Sequence, residues 1–270
     1  MTGPAGKGWQ KQGNTEQTIQ GKLEALLSRL LDQPVEVAGS GRTDAGTHAK
    51  MQVVSFRAKT QKTTEEILAG LRRYLPADIG AIRLERAEPR FHARLSCTGK
   101  TYVYRIWNSD LPNVFERNYL YHLHEPLDLA AMVQAAEDLC GTHDYRAFCS
   151  LKKFKKSTVR RVESITIQAL GPELRFTLSG DGFLYHMVRI LVGTLLEVGR
   201  GHLRPEDMAD ILASQDRRRA GETVPACGLC LEEVRYRTEK ALALKGARAL
   251  KFRKGACRPS SSSPPPRTAE

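Results

Sequence analysis

The chain has 270 residues, with 42 Lys+Arg against 30 Asp+Glu and a formal net charge of +12. That length holds one large domain or two ordinary ones with a sizeable core, and 41% hydrophobic with 27% charged residues describes a globular chain rather than a disordered one. No apolar run approaches the roughly 20 residues of a membrane-spanning helix, and the opening MTGPAGKGWQKQ lacks the apolar stretch of a secretory signal. A cytoplasmic location is therefore expected, and the positive surplus points to a polyanion, nucleic acid first.

Asn14 to Gln17 read as a helix cap, after which Ile19, Leu23, Leu26, Leu27 and Leu30 recur on one apolar face. Val35 to Val37 is a short predicted strand, followed by a polar, glycine-rich loop from Gly39 to Gly46, and Met51 to Phe56 is a second strand. Thr63 to Glu66 forms a capping box that opens a helix through about Tyr74, stopped by Leu75-Pro76, and Ile79 to Leu84 reads as strand. This first part alternates β and α, an α+β or α/β layer.

From Tyr102 to Trp107 the side chains alternate, with Tyr102, Tyr104 and Ile106 on one face. Asp128 caps a helix carrying Leu129, Met132, Val133, Ala136 and Leu139, closed by Gly141. Strands are expected at Val159 to Ile167 and Leu174 to Leu178, then an apolar helix from Phe183 to Val198 that ends at Gly199. Pro205 sits at a helix start, and Leu229 to Tyr236 is a last strand. From Arg237 onward the chain is Lys/Arg-rich and then Ser/Pro-rich, the composition of a disordered basic tail.

Asp44 is the sharpest candidate for chemistry. It stands in a loop after a strand, between glycines and beside Arg42. A neighbouring guanidinium keeps a carboxylate ionised, and an ionised carboxylate can serve as nucleophile or base at a sugar carbon. The plain alternative is a turn aspartate making an Asx bond. The loop glycines do not fit the dinucleotide or P-loop patterns. Neither the two-histidine zinc helix nor the serine elbow is present. Cys227 and Cys230 form a lone C-x-x-C without a second pair or nearby His, better read as core thiols than as a metal or redox site. His48 and His186 are lone histidines, a type more often structural than catalytic. Two basic runs could track phosphates or simply be solvated faces: Lys152 to Lys156 with Arg160-Arg161, and Arg217 to Arg219.

Gly41-Arg42-Thr43-Asp44-Ala45-Gly46-Thr47-His48-Ala49 resembles the G-R-T-D-A-G-V-H-A signature of the tRNA pseudouridine synthase A (TruA) family. Further motifs follow in the family's order: Gly8-Trp9-Gln10, Leu75-Pro76-Ala77-Asp78-Ile79, Phe91-His92-Ala93-Arg94, Lys100-Thr101-Tyr102-Val103-Tyr104, Gly141-Thr142-His143-Asp144-Tyr145 with Phe148, His186-Met187-Val188-Arg189 with Val192-Gly193, and Pro225-Ala226 with Gly228-Leu229. The resemblance spans about Gly8 to Tyr236. It implies an isomerase that converts uridine to pseudouridine in the anticodon stem-loop of tRNA, at positions 38, 39 and 40. It implies Asp44 as the catalytic aspartate, Tyr102 as the tyrosine that contacts the target base, and Arg42 and Arg189 as arginines near the site. It further implies no metal, nucleotide or organic cofactor, and a homodimer whose basic cleft holds tRNA.

The fold so implied is α+β, with two α/β domains of antiparallel-rich sheets and the active-site cleft between them. Residues 1–90 would form the N-terminal domain with the Asp44 loop, 91–236 the C-terminal domain, and 237–270 the tail. Only Met1 to Lys7 precede Gly8, where the family has a strand and a Tyr-Asp-Gly, so the first family strand is expected to be missing. Two other readings compete. One is a catalytically weakened or inactive RNA-binding protein on the same scaffold. The other is a glycosidase-like enzyme on a different nucleoside, which would want a second acid/base carboxylate near Asp44.

Overall fold

The structure, a computed structural model, describes residues 8–11 and 18–237. The expected cap at Asn14 to Gln17, the expected loss of a strand before Gly8 and the basic tail lie outside those residues, apart from Arg237. Helix α1 (Ile19–Leu31) is capped instead by Thr18, whose hydroxyl accepts from the Gly21 amide. Strands β1 (Val37–Gly39), β2 (His48–Ala49) and β3 (Val54–Phe56) follow, then α2 (Thr64–Tyr74) with its capping box between Thr63 and Glu66 as predicted. β1 and β3 pair antiparallel as a two-stranded sheet. Leu26, Leu27 and Leu31 of α1 bury against Ile67 and Leu71 of α2 and Val35 and Val37 beneath them.

The predicted strand at Ile79 to Leu84 does not form. The apolar pattern there serves packing rather than pairing, since Ile79 buries against Trp9 and Ile19, and Ala81 and Leu84 lean on the helical core. The guanidinium of Arg72 donates to the Ala81 and Ile82 carbonyls, taking acceptors that a strand would present to a neighbour. The first predicted strand is also displaced, to Val37–Gly39 rather than Val35 to Val37.

The larger sheet is built from β4 (Cys97–Asn108), β5 (Tyr121–Leu123), β6 (Gly141–Asp144), β7 (Val159–Leu170), β8 (Glu173–Gly180) and β9 (Leu229–Tyr236), together with β2. Its order is β2-β9-β4-β8-β7-β6, with β5 beside the end of β4. All pairings are antiparallel except β2 with β9 and β5 with β4. The alternation read from the sequence holds: Tyr102, Tyr104 and Ile106 are all buried. Helices α3 (Leu129–Asp138), α4 (Met187–Gly199) and α5 (Asp207–Ser214) belong to the same core, which joins Tyr104, Ile106, Phe176 and Leu178 of the sheet to Met132, Ile190, Leu191 and Met208 of the helices. Asp128 caps α3 as predicted, while Gly141 opens β6 with a φ of 111° rather than closing the helix.

Helix α4 is the axis of this core. Every residue of it is buried except Arg189 and Glu197, the mark of a helix apolar on nearly all sides. It begins at Met187, four residues later than predicted, because His186 adopts a left-handed conformation that cannot continue a helix backwards. The segment 221–224 runs across α4 at Gly193, where a Cβ would lie 1.9 Å from the Glu222 carbonyl oxygen. Gly193→Ala is therefore expected to force the segment off the helix and destabilise the protein by about 3 kcal/mol, read as a lowered midpoint in thermal unfolding followed by circular dichroism.

Candidate active site

Asp44 occupies the loop between β1 and β2, and both sides of that loop are anchored. The Trp9 amide donates to the Thr43 carbonyl (3.0 Å), and the buried Trp9 ring packs against Gly39, where a Cβ would lie 2.4 Å from it. This explains why Gly-Trp-Gln and the Gly-rich loop belong to one motif set although they lie far apart in the chain. The Gln52 amide donates to the Gly41 carbonyl, and the Thr47 amide closes a turn onto the Asp44 carbonyl at 3.1 Å. Beyond the turn, His48 and Ala49 pair with Cys230 and Leu231 of β9. The loop is thus fixed to the larger sheet just after the aspartate.

Around the Asp44 carboxylate the structure assembles side chains from distant parts of the chain. Arg189 Nη1 lies 3.5 Å and His186 Nε2 3.2 Å from the same oxygen, Oδ2. Among the described residues Oδ1 takes no hydrogen bond. Asp44 remains 30% exposed, against 14% for Arg189 and 19% for His186, so the carboxylate is the open face of the cluster. Arg189 is aimed by its other edge, where Nε donates to the Val224 carbonyl at 2.7 Å. That carbonyl belongs to the segment seated on Gly193 and tied by the Gly221 amide to Thr194 Oγ1. The segment's far end is held by Tyr104 Oη, which donates to the Pro225 carbonyl at 2.8 Å. The motifs around Gly193 and Pro225 therefore orient one guanidinium.

Of the residues named from the sequence, Asp44 and Arg189 are brought together. Burial above all, and then the nearby Asp44, disfavours the Tyr102 phenolate and holds the hydroxyl protonated. Its ring is buried edge-on against Phe183 at 5.4 Å. Arg42 is exposed, and the guanidinium beside Asp44 is that of Arg189, not the sequence neighbour. Lys100 packs under the loop at Gly41 on the same face of β4 as Tyr102, and burial lowers its ammonium pKa.

His186 was not anticipated as part of the site. Its Nδ1 faces Ser150 Oγ at 3.0 Å and its ring stacks on Tyr185 at 3.7 Å. One signal for it was present: it stands three residues before Arg189 in the same motif, close in the chain to a residue already expected near the site. His48 does keep a structural role, bonded to the Asn118 carbonyl at 2.8 Å and packed on Tyr119. Cys227 and Cys230 are partly buried free thiols, both held protonated by burial.

The two basic runs differ in kind. Lys152, Lys153, Lys155 and Lys156 are exposed, on a loop that starts just after Ser150 and is steadied by Arg146 over the Phe154 ring at 5.0 Å. In the second run Arg217 donates to the Ala220 carbonyl and to Thr223, Arg218 to Asp216, and Arg219 to the Asp210 carbonyl. These are local structural bonds.

A carboxylate held at one oxygen, beside a basic loop, fits an enzyme acting on a sugar within nucleic acid, and comparison with known proteins narrows the class. Residues 135–237 match the family described as tRNA pseudouridine synthase. The chain is 45% identical to the tRNA pseudouridine synthase A of Moorella thermoacetica over 230 residues, 85% of this chain and 94% of that one. It is 44% identical to that of a Bacillus species over the same shares, and 44% identical to a tRNA pseudouridine synthase A 2 of Clostridium perfringens, covering 93% of the latter. The crystal structure of a Cbf5-Nop10-Gar1 complex superposes with a TM-score of 0.34 at 15% identity, over 66% of this chain and 40% of that one, too loose a likeness to define the fold. The chain belongs to the tRNA pseudouridine synthase A family, and its α+β architecture and motif order are those expected of a member.

Proposed function

We propose that the chain isomerises uridine to pseudouridine in the anticodon arm of tRNA, at positions 38 to 40, with Asp44 as the catalytic carboxylate. The observation that carries this is the Asp44 carboxylate itself, with Arg189 Nη1 3.5 Å and His186 Nε2 3.2 Å from Oδ2 and, among the described residues, no hydrogen bond to Oδ1. The reaction breaks the bond from C1′ to N1, turns the uracil and joins C1′ to C5; the C5 proton leaves and N1 gains one, so mass is unchanged. No redox change or external energy source is required. Asp44 would act either by adding to the sugar or by removing a sugar proton. The base must leave its stack to be reached. Tyr102 would then contact the uracil from the floor of the site, with Arg42, exposed on the same loop, facing the RNA, and Arg189 completing the ion pairing of Asp44.

The N-terminal part, residues 1–90, would supply the Asp44 loop and residues 91–236 the opposing wall. The family's homodimer extends to this chain within the same reading; the exposed Leu111, Val114 and Phe115 provide an apolar surface for self-association, and sedimentation velocity tests it. Within the same reading the chain would work in the cytoplasm, and a tRNA substrate supports that. The experiment is carbodiimide labelling and primer extension on an unmodified tRNA transcript, with mass spectrometry of the product. A mass-neutral pseudouridine in the anticodon arm is the expected result. A released base would mean hydrolysis, and binding of tRNA without product would mean a noncatalytic RNA-binding protein.

The exposed lysine loop gives a separate expectation. Changing Lys152, Lys153, Lys155 and Lys156 together to Gln should weaken tRNA binding for all tRNA sequences alike. The slope of log affinity against log salt should fall by about 1 or more, measured by filter binding across a salt series. Single-turnover conversion of saturated enzyme should stay near that of the parent.

A further inference from the structure

His186 stands where a helix cap belongs, yet its side chain makes no capping bond, and its backbone is left-handed at φ 63°. Ser, Thr, Asp or Asn would cap there, and residues other than glycine hold this conformation only where the surroundings over-determine it. The surroundings do so here. The ring stacks on Tyr185, whose carbonyl accepts from the Ser150 amide, while the Ser150 hydroxyl faces Nδ1 and Asp44 faces Nε2.

We propose that His186 is a positioning residue for the Asp44 carboxylate, fixed in its Nε2–H tautomer by the hydroxyl of Ser150. The proposal rests on the reading of Asp44 as the catalytic group. An ionised carboxylate only accepts, so the nitrogen facing it carries hydrogen; a serine hydroxyl can donate, so the nitrogen facing it can be bare. The charged groups acting on the imidazole are Asp44, Arg189 and Arg217. Burial opposes protonation most, both arginines add to that, and Asp44 works against it; the balance lies below the ordinary imidazole value. A neutral imidazole with Nε2 3.2 Å from Oδ2 can orient that oxygen by donating to it once the two align in the tRNA complex, without placing a second full cation beside a carboxylate that already has Arg189. Oδ1 is left as the reacting oxygen.

The test is single-turnover conversion of an unmodified tRNA transcript between about pH 5 and pH 9, together with tRNA affinity and thermal unfolding for each variant. His186→Phe keeps a flat ring for Tyr185 and removes both nitrogens. Its rate should fall by about 10- to 100-fold with near-parent tRNA affinity, since misorienting a reacting group costs that much. His186→Gln restores an N–H donor and should recover most of the loss. In the parent the rate should decline on the acid side as the imidazole takes a proton and becomes a cation; His186→Phe should lack that decline. Ser150→Ala, outside the helical core, should slow conversion by several-fold and keeps the proposal testable if the ring variants fold poorly. A parent-like rate and acid limb in His186→Phe or in Ser150→Ala overturns it. So does a His186→Gln as slow as His186→Phe when both bind tRNA normally. Asp44→Asn runs alongside: if it is active, the reading of Asp44 has failed; if it is dead while His186→Phe is unimpaired, only the role of His186 has failed.

Discussion

Asp44→Asn should lose pseudouridine formation by at least about 10³-fold, the scale of removing a reacting base or nucleophile, while binding tRNA with near-parent affinity. The substitution preserves shape and takes away only the charge and the basic oxygen. The loop should survive it, because its anchors are the Trp9 amide on Thr43, the Gln52 amide on Gly41 and the pairing of β2 with β9, none of which uses the carboxylate. Single-turnover kinetics beside filter binding separate the outcomes. An active Asp44→Asn would remove the carboxylate from the mechanism. A variant that is inactive because it no longer folds would show a collapsed thermal transition, which the anchoring pattern argues against.

Arg189→Met should be the next most damaging change, with conversion reduced by about 10²-fold, the usual cost of losing one preorganised donor at a reacting charge. A second effect should accompany it. The Val224 carbonyl loses its partner in a buried setting, worth about 1–3 kcal/mol of stability, so the thermal midpoint should fall as well. Arg189→Lys should rescue neither fully. One ammonium cannot reach the Val224 carbonyl and Asp44 Oδ2 in opposite directions, as the guanidinium does through Nε and Nη1. A Lys variant with parent activity would show that only the charge matters and that the aim set by Val224 is immaterial.

What could be read from residues alone follows how local its cause is. The capping box of α2, the Asp128 cap of α3 and the alternation of β4 rest on contacts between near neighbours, and β9 begins and ends where its pattern does. The short strands β2, β5 and β6 carry too few residues for a period; they are strands because β9, β4 and β7 lie beside them. The segment at Ile79 to Leu84 failed in the opposite sense, with a strand-like pattern whose carbonyls Arg72 takes. In the site, the glycine-flanked Asp44 stands out in the sequence as the candidate carboxylate, and Arg189, named through the family resemblance, lies beside it in the structure. The cation on the carboxylate nonetheless comes from Arg189 rather than the adjacent Arg42. His186 stayed hidden because its meaning depends on Ser150 and Asp44, which no spacing links to it.

The short parallel pairing of β2 with β9 has a consequence for synthesis. The Asp44 loop leaves the ribosome early, but the strand that clamps it is the last of the larger sheet, and Arg189 arrives 145 residues after Asp44. At roughly 5–20 residues per second, about 9 to 37 seconds separate the making of the aspartate from the making of its clamp. A nascent chain therefore carries a carboxylate without the partners that aim it, and unfinished protein should be inert toward tRNA gathered at the ribosome.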